Sequence, residues 1–175
     1  MNRRTVMTSL TAAALIASLP ETAGAHQAAG DEALVSAWLE NCVSSWAAGD
    51  ADRMFAMATD DVEWVNIVGM HWKGKAEVLA IHRLYLNTMF KGVPLTLKSI
   101  ESIRSVGPDV VIAVARWSVG QFNPPDGSTV PASDDRMTLV FRRTANGLSL
   151  AHGANVQINQ AALDAQQAAG PPPSA

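Results

Sequence analysis

The chain has 175 residues, a formal net charge of −3 at pH 7 and hydrophobic residues at 48% of its positions. So small a charge, with no run of Lys or Arg, argues against a nucleic-acid partner, which requires a basic surface. Metal-site spacings such as CxxC and HExxH are missing, as are the motifs of dinucleotide, flavin and phosphate binding, so we expect no metal and no cofactor.

Residues 1–25 have the three parts of an export signal. Arg3 and Arg4 form a basic start, residues 6–19 are mildly apolar and rich in Ala, and "AGA" before His26 fits a cleavage site. The apolar run is shorter than the ~20 residues that cross a bilayer, so we predict cleavage and no stable membrane anchor. The adjacent arginines also fit a twin-arginine signal. The mature protein is therefore expected in the periplasm or outside the cell.

Residues 31–158 have the length of a single domain. The segment 159–175 is rich in Ala and Gln and then in Pro, with no bulky apolar residue after Leu163, and predicts a disordered tail. The single cysteine, Cys42, cannot form an internal disulfide. It has apolar neighbours and no basic residue near it in sequence, which favours a small buried side chain over a reactive thiol.

The domain begins with two predicted helices. Residues 32–48 carry one apolar stripe at helical spacing, with Asp31 as a candidate N-cap. Gly49 ends this helix, and Asp50 can cap a second, shorter one over residues 51–58.

The period then changes to two, which predicts a strand over residues 62–68. Charged Asp61 and Glu63 belong outside, so Trp64 and Asn66 face inward. An inward amide can donate to and accept from a ligand, or it can hydrogen-bond neighbouring backbone groups at the end of the strand. Both interpretations of Asn66 remain open.

A loop over residues 69–74 and a helix over residues 75–90 follow. His71 lies in the loop, either as an exposed residue or as part of a lid over a pocket. His82 lies on the apolar side of the helix, where it is either structural or a candidate acid or base. Tyr85 is nearly one turn further on, so it reaches the same cavity or simply packs against the core.

The second half predicts four strands, at residues 95–106, 109–120, 134–144 and 148–159, with turns at Gly107-Pro108 and at "ANG". A long polar loop joins the second and third of these strands. The whole order predicts an α+β fold, in which three helices pack on one face of a curved antiparallel sheet.

Arg116 and Trp117 are consecutive in a strand, so one faces the pocket and the other faces solvent or a partner. An arginine in so apolar a strand favours a structural ion pair, with Asp134, Asp135 or Glu101 as candidate partners.

In the last strand His152 and Asn155 face opposite sides unless a bulge intervenes, and the phase of Leu148 and Leu150 favours His152 as the inward residue. No pair of carboxylates stands out as a catalytic base, because Asp134 and Asp135 are expected at the rim of the sheet.

This order of elements carries a modest set of motifs: Gly49-Asp50 between helices, Trp64-Val65-Asn66, His82 and Asn155. In these features the chain resembles the NTF2-like superfamily and is most similar to small SgcJ/EcaC-type and SnoaL-like proteins, in the neighbourhood of ketosteroid isomerase. The likeness covers residues 31–158. It implies a cone with a pocket between the sheet and the helices, and homodimers formed through the sheet. It also favours Asn155 over His152 as the inward residue.

We therefore expect an apolar pocket for a small apolar or aromatic ligand. The predicted ligand contacts are Trp64, Trp117, Arg116, His152, Asn155 and His71. In an enzyme of proton-transfer type (isomerase, cyclase or dehydratase), His82 would be the base, and Asn66 and Tyr85 would hold the enolate oxygen. The alternative is a non-catalytic module that binds a ligand or serves in dimeric interactions.

Overall fold

The structure is a computed structural model that describes residues 21–170, so residues 1–20 of the predicted export signal lie outside it. It confirms the α+β fold and comprises four helices and six strands. In chain order they are α1 (Glu21–Ala48), α2 (Ala51–Met54), β1 (Ala58–Val65), β2 (His71–Lys73), α3 (Lys75–Asn87), β3 (Leu95–Val106), β4 (Val110–Val119), β5 (Ser133–Thr144), β6 (Gly147–Gln157) and α4 (Gln160–Ala169).

Helix α1 begins earlier than predicted. Asp31 is not its N-cap but lies inside it, because the preceding segment is rich in Ala, the strongest helix former. The carboxylate of Asp31 instead forms a buried ion pair with Arg143 of β5. The following junction is as predicted: Gly49 has a positive φ of 69°, and the Asp50 side chain accepts from the Arg53 N–H at 2.9 Å, capping α2.

The six strands form one sheet in the order β2-β1-β6-β5-β4-β3. The predicted antiparallel arrangement is corrected at one place, because β1 and β6 pair in parallel. The predicted loop at residues 69–74 contains the short edge strand β2, which pairs with β1 through Val65 and His71. Helices α1 and α3 pack against the concave face of this mixed sheet.

A bulge in β6 determines which residues of this strand face the helices. Leu150 pairs with Phe141 and His152 pairs with Val140, which leaves Ala151 as an extra residue. The phase of the strand changes there, so that Leu150 is inward before the bulge and Asn155 is inward after it. The preference for His152 that simple alternation predicted is therefore wrong, and Asn155 lies on the concave face.

The core lies between the helices and this concave face. Cys42 is among its buried residues, as predicted, and burial raises the pKa of its thiol to about 12. Within residues 21–170, no helix is both long and apolar enough to cross a membrane.

Part of the predicted disordered tail is helical. Residues Gln160–Ala169 form α4, and the Asn159 side chain caps it by accepting from the Ala162 N–H at 3.1 Å. Ala and Gln are good helix formers, and the Asn159 side chain satisfies one of the N–H groups at the helix start. None of the α4 side chains is buried.

Candidate functional site

A cavity of about 510 Å³ lies between the concave face of the sheet and the helices. Its walls are mostly apolar and strongly aromatic, with the rings of Trp46, Trp64, Trp72, Tyr85, Phe90, Trp117 and Phe122. Among the described residues no Lys, Arg or Glu lines it. A second depression of about 370 Å³ shares Tyr85, Met89 and Pro125 with it. Within residues 21–170, no group of three or more His, Cys, Asp or Glu side chains is arranged to hold a metal ion.

Six of the predicted site residues line this cavity, namely Trp64, Asn66, His82, Tyr85, Trp117 and Asn155. Three others do not, and those predictions are corrected. Arg116 lies on the convex face, where it donates to Asp134 at 2.7 Å. His71 contacts Glu63 at 2.9 Å on the same face. His152 lies opposite Glu63 in the register of β1 and β6, also facing outward.

Asn66 lies one residue beyond the end of β1. Its side-chain oxygen accepts from the backbone N–H groups of Val68, at 3.1 Å, and Met70, at 2.9 Å. These bonds close the turn that leads into β2. The side-chain oxygen of Asn66 therefore hydrogen-bonds neighbouring backbone groups, as the second interpretation predicted. The residue also lines the cavity.

His82 is positioned by α3 with its ring against three aromatic side chains. The ring centroids of Phe55, Trp64 and Trp72 lie 4.6, 5.3 and 6.0 Å from that of His82. Its Nδ1 lies 2.8 Å from the carbonyl oxygen of Val78. Because a carbonyl oxygen only accepts, Nδ1 carries the hydrogen and Nε2 has a free lone pair. Burial lowers the pKa of His82 to about 4, so the ring is neutral at pH 7.

Tyr85 stands one turn beyond His82, at the mouth of the cavity. Its hydroxyl contacts the Met70 sulfur at 3.7 Å. Its ring meets Trp72 and Phe90 edge-on, with centroids 6.0 and 6.3 Å away. Tyr85 therefore both packs against neighbouring aromatic rings and lines the cavity. Its predicted role in holding an enolate oxygen stays a prediction.

Asp135 is the residue that the sequence reasoning missed. Its side chain lines the cavity and is 5% exposed. Burial raises the pKa of the Asp135 carboxyl, the charge of Asp134 adds to this rise, and a hydrogen bond donated by Ser133 at 3.1 Å opposes it. Period-two spacing from the inward residues Met137 and Leu139 could have placed Asp135 on the concave face rather than at the rim.

Two further polar groups lie on the same face of the sheet as Asp135, and we call the three residues Asp135, Trp117 and Asn155 the Asp135 corner. Trp117 is directly opposite Asp135 on β4, and Asn155 is opposite the next inward residue of β5, Met137. Trp117 Nε1 and Asn155 Oδ1 are buried and have no hydrogen-bond partner among the described residues. An unpaired buried polar group costs about 1–3 kcal/mol of stability, and both atoms are almost inaccessible to solvent.

Gly153 supports Trp64, the aromatic wall beside His82. A Cβ at residue 153 would lie 2.3 Å from Trp64 Cζ3, which is closer than atoms can approach. We expect Gly153→Ala to displace the indole toward the cavity and to cost about 1–3 kcal/mol in the free energy of unfolding.

Urea denaturation of Gly153→Ala measures this cost. Gly30→Ala is the matched control, because Gly30 lies inside α1 with open space at its Cβ position. That control is expected to raise the stability by up to about 1 kcal/mol. Equal stability of the Gly153→Ala variant and the wild type would show that a Cβ at residue 153 does not clash with the Trp64 ring.

The comparisons with known proteins agree on the fold. The family model of the SnoaL-like domain matches residues 33–155. No curated protein matches the chain. An uncharacterised protein with a cystatin-like fold from Caulobacter vibrioides is 27% identical, with a TM-score of 0.74 over 79% of this chain and 97% of that one.

Two further solved structures have the same fold at lower identity. An NTF2-like protein from Novosphingobium aromaticivorans is 19% identical, with a TM-score of 0.64 over 86% of this chain and 97% of that one. A ketosteroid isomerase-like protein from Erwinia carotovora atroseptica is 16% identical, with a TM-score of 0.59 over 73% of this chain and 95% of that one. At such identities these likenesses show the fold alone.

Proposed function

Because the chain belongs to the SnoaL-like domain family, we propose that it binds a small, mostly apolar ligand in the cavity and moves a proton on that ligand without a cofactor. The observation that carries this proposal is the buried Asp135 carboxyl in a mostly apolar cavity. The narrower likeness to SgcJ/EcaC-type proteins stays a prediction.

In this proposal Asp135 replaces His82 as the base. A general base works best when its pKa approaches the working pH. Burial moves the pKa of Asp135 upward, toward neutrality, and moves the pKa of His82 downward, away from it. A buried carboxyl of raised pKa is a frequent feature of catalytic sites.

The proposed reaction is proton transfer next to an oxygen-bearing carbon, as in isomerisation, cyclisation or dehydration. Asp135, whose side chain lines the cavity, would accept the proton from one carbon of the ligand and return it to another. Most of the remaining cavity wall is apolar, and a low-dielectric surrounding strengthens electrostatic interactions with the carboxylate.

A non-catalytic ligand carrier is the second candidate. It is favoured by the two backbone hydrogen bonds that the Asn66 side-chain oxygen accepts, because they engage one of the side chains that the sequence predicted as catalytic. A carrier and an enzyme need the same cavity, so they differ only in whether Asp135 exchanges a proton with the ligand.

The first test is thermal denaturation against aromatic and polycyclic ketones and alcohols, because a ligand of the native state raises the midpoint. Any ligand that binds is then assayed for deuterium uptake from solvent. We expect Asp135→Asn to keep the affinity within a few-fold and to slow exchange by on the order of 10²–10⁴-fold.

His82→Gln is the matched control for this experiment and should slow exchange far less. A ligand that binds and never exchanges would favour the carrier. Unchanged exchange in the Asp135→Asn variant would remove Asp135 from the mechanism, and no shift from any compound would remove the ligand-binding proposal itself.

We further propose export of the mature chain and a homodimer formed through the convex face of the sheet. On that face Ile112, Val114 and Val140 are partly exposed, and Val156 is 66% exposed. N-terminal sequencing of the protein from the periplasm would test the export. Light scattering would test the dimer, and a monomeric mass at micromolar concentration would refute it.

A further inference from the structure

The proposed reaction needs a hydrogen-bond donor as well as a base. When a proton leaves the carbon next to a carbonyl group, negative charge develops on the carbonyl oxygen, and a donor aimed at that oxygen stabilises it. Such a donor has to lie close to Asp135 and has to be reachable from the cavity. Gln157, the last residue of β6, meets both conditions.

Strand pairing places Gln157 beside the Asp135 corner. Gln157 lies directly opposite Asp135 in the antiparallel register of β5 and β6. The two side chains therefore leave the same face of the sheet, with Cβ atoms about 4.5–5.5 Å apart. Gln157 is also two residues beyond Asn155, in the phase of the concave face. It lines the same cavity as Asp135.

The side-chain amide of Gln157 is available to a ligand. The residue is exposed, and its side chain has no hydrogen bond within the part of the chain that the structure describes. Other donors of the cavity wall are engaged: Trp46 Nε1 donates to the Val93 carbonyl oxygen at 2.7 Å, and Ser133 Oγ donates to Asp135 Oδ1 at 3.1 Å. The second of these bonds leaves Asp135 Oδ2 to take a proton.

We propose that Gln157 donates a hydrogen bond from its side-chain amide to the carbonyl oxygen of the ligand, and that the ligand is an apolar ketone with a hydrogen on the carbon beside the carbonyl. This inference rests on the proposed function, because it assigns the second partner in the same proton transfer.

The step balances with these two side chains alone. As Asp135 Oδ2 takes the proton, the C–H electron pair forms a carbon–carbon double bond and the carbonyl π pair moves onto the oxygen. Gln157 donates to the enolate oxygen that results, and return of a proton to carbon restores the carbonyl group. Because the amide is uncharged, it does not form an ion pair with Asp135 in the free protein, as a Lys or Arg in its place would.

Two matched probes test this assignment on the full chain. The substrate probe is 2-tetralone, an apolar aromatic ketone, and tetralin is the same ring system without the carbonyl group. Calorimetry measures the binding of both, and deuterium uptake by 2-tetralone from D2O, corrected for uptake in buffer, measures proton transfer. We expect Gln157→Met, which keeps the length of the side chain and removes the donor, to lower kcat for exchange by about 100-fold. The affinity for tetralin should stay unchanged, because tetralin has no oxygen for Gln157 to bind.

A second variant and a control separate this role from a structural one. Gln157→Val also removes the donor, and Val is favoured in strands, so it should reproduce the loss of kcat if Gln157→Met does not fold. Gln160→Met is the control, because Gln160 does not line the cavity and its amide donates to Asp164 at 2.8 Å. This control should keep the wild-type kcat and KM. A merely structural role of Gln157 would change the binding of both probes alike and leave kcat intact.

The outcomes separate this inference from the function beneath it. If Asp135→Asn loses the exchange activity but both Gln157 variants keep the wild-type kcat, the assignment of Gln157 is overturned and proton transfer by Asp135 stands. An equal loss in Gln160→Met would overturn it as well. If the wild type takes up no deuterium into 2-tetralone, or if Asp135→Asn exchanges as fast as the wild type, the proposed proton transfer fails and the assignment of Gln157 fails with it.

Discussion

Replacing Arg143 by Met is expected to lower the free energy of unfolding by about 3–5 kcal/mol, as breaking a buried ion pair does. The Arg143 guanidinium binds both carboxylate oxygens of Asp31, and Asp31 is 2% exposed. Without Arg143 the carboxylate would stay buried with a hydrogen bond from Ser105, at 3.0 Å, as its remaining support. The pair joins α1 to β5 across 112 residues of sequence, so its loss weakens the packing of α1 on the sheet.

The adjacent arginine provides a matched control for this variant. Arg142 donates to Asp61 at 2.9 Å, but these two side chains are 53% and 62% exposed. Arg142→Met should therefore cost only about 0–1 kcal/mol. The double variant Asp31→Leu/Arg143→Met should recover most of the loss, because no charge then remains buried. Denaturation with urea measures all three, and equal costs at residues 142 and 143 would contradict the buried-pair account.

Acidification from pH 6.5 to pH 4 is expected to remove about 3 kcal/mol of stability through His82 alone. The pKa of His82 is 6.5 in a solvated reference state and about 4 in the fold, because burial disfavours the charged ring. Above pH 6.5 both states carry a neutral ring, and His82 has no effect on the pH dependence. Below it the unfolded chain takes up a proton that the folded chain excludes, so stability falls by about 1.4 kcal/mol for each pH unit down to the folded pKa.

Comparing urea denaturation at pH 7 and pH 4.5 isolates this contribution. His82→Gln should lose about 2–3 kcal/mol less than the wild type between these pH values. His71→Gln is the control, because His71 is exposed on the convex face. The raised pKa of Asp135 acts in the opposite direction, since acid neutralises a buried carboxylate, but it is common to all three proteins and cancels. The same loss in His82→Gln and wild type would show that His82 is not buried as a neutral ring.

Asp135 and His82 show why the site was harder to predict than the fold. Burial is the largest cause of both pKa shifts, yet it raises the pKa of Asp135 and lowers that of His82. Burial disfavours the charged form, which is the deprotonated form of a carboxyl and the protonated form of an imidazole. Sequence alone identifies a histidine on an apolar helix face as a candidate base. Only the packing around it decides whether the ring can hold a proton at pH 7.

Local patterns in the sequence were sufficient for most single elements. The apolar stripe of α1, the turn at Gly49, the cap at Asp50 and the hairpin between β5 and β6 all depend on neighbours within a few residues. The inward direction of Trp64 followed from alternation, which also placed Arg116 and Trp117 on opposite faces without deciding which of them is inward. These features are encoded locally because backbone geometry repeats every 3.6 residues in a helix and every two in a strand.

The tertiary structure decided everything that joins distant segments. It determined the parallel pairing of β1 with β6, the edge strand β2 and the partner of Asp31. The bulge at Ala151 reversed the phase of β6 and placed Asn155, rather than His152, on the concave face. The sequence of a strand specifies which residues alternate between its two faces. Register, bulges and burial depend on how that strand pairs and packs with its neighbours. The sequence by itself therefore predicted a pocket, whereas the packing determined which residues line it.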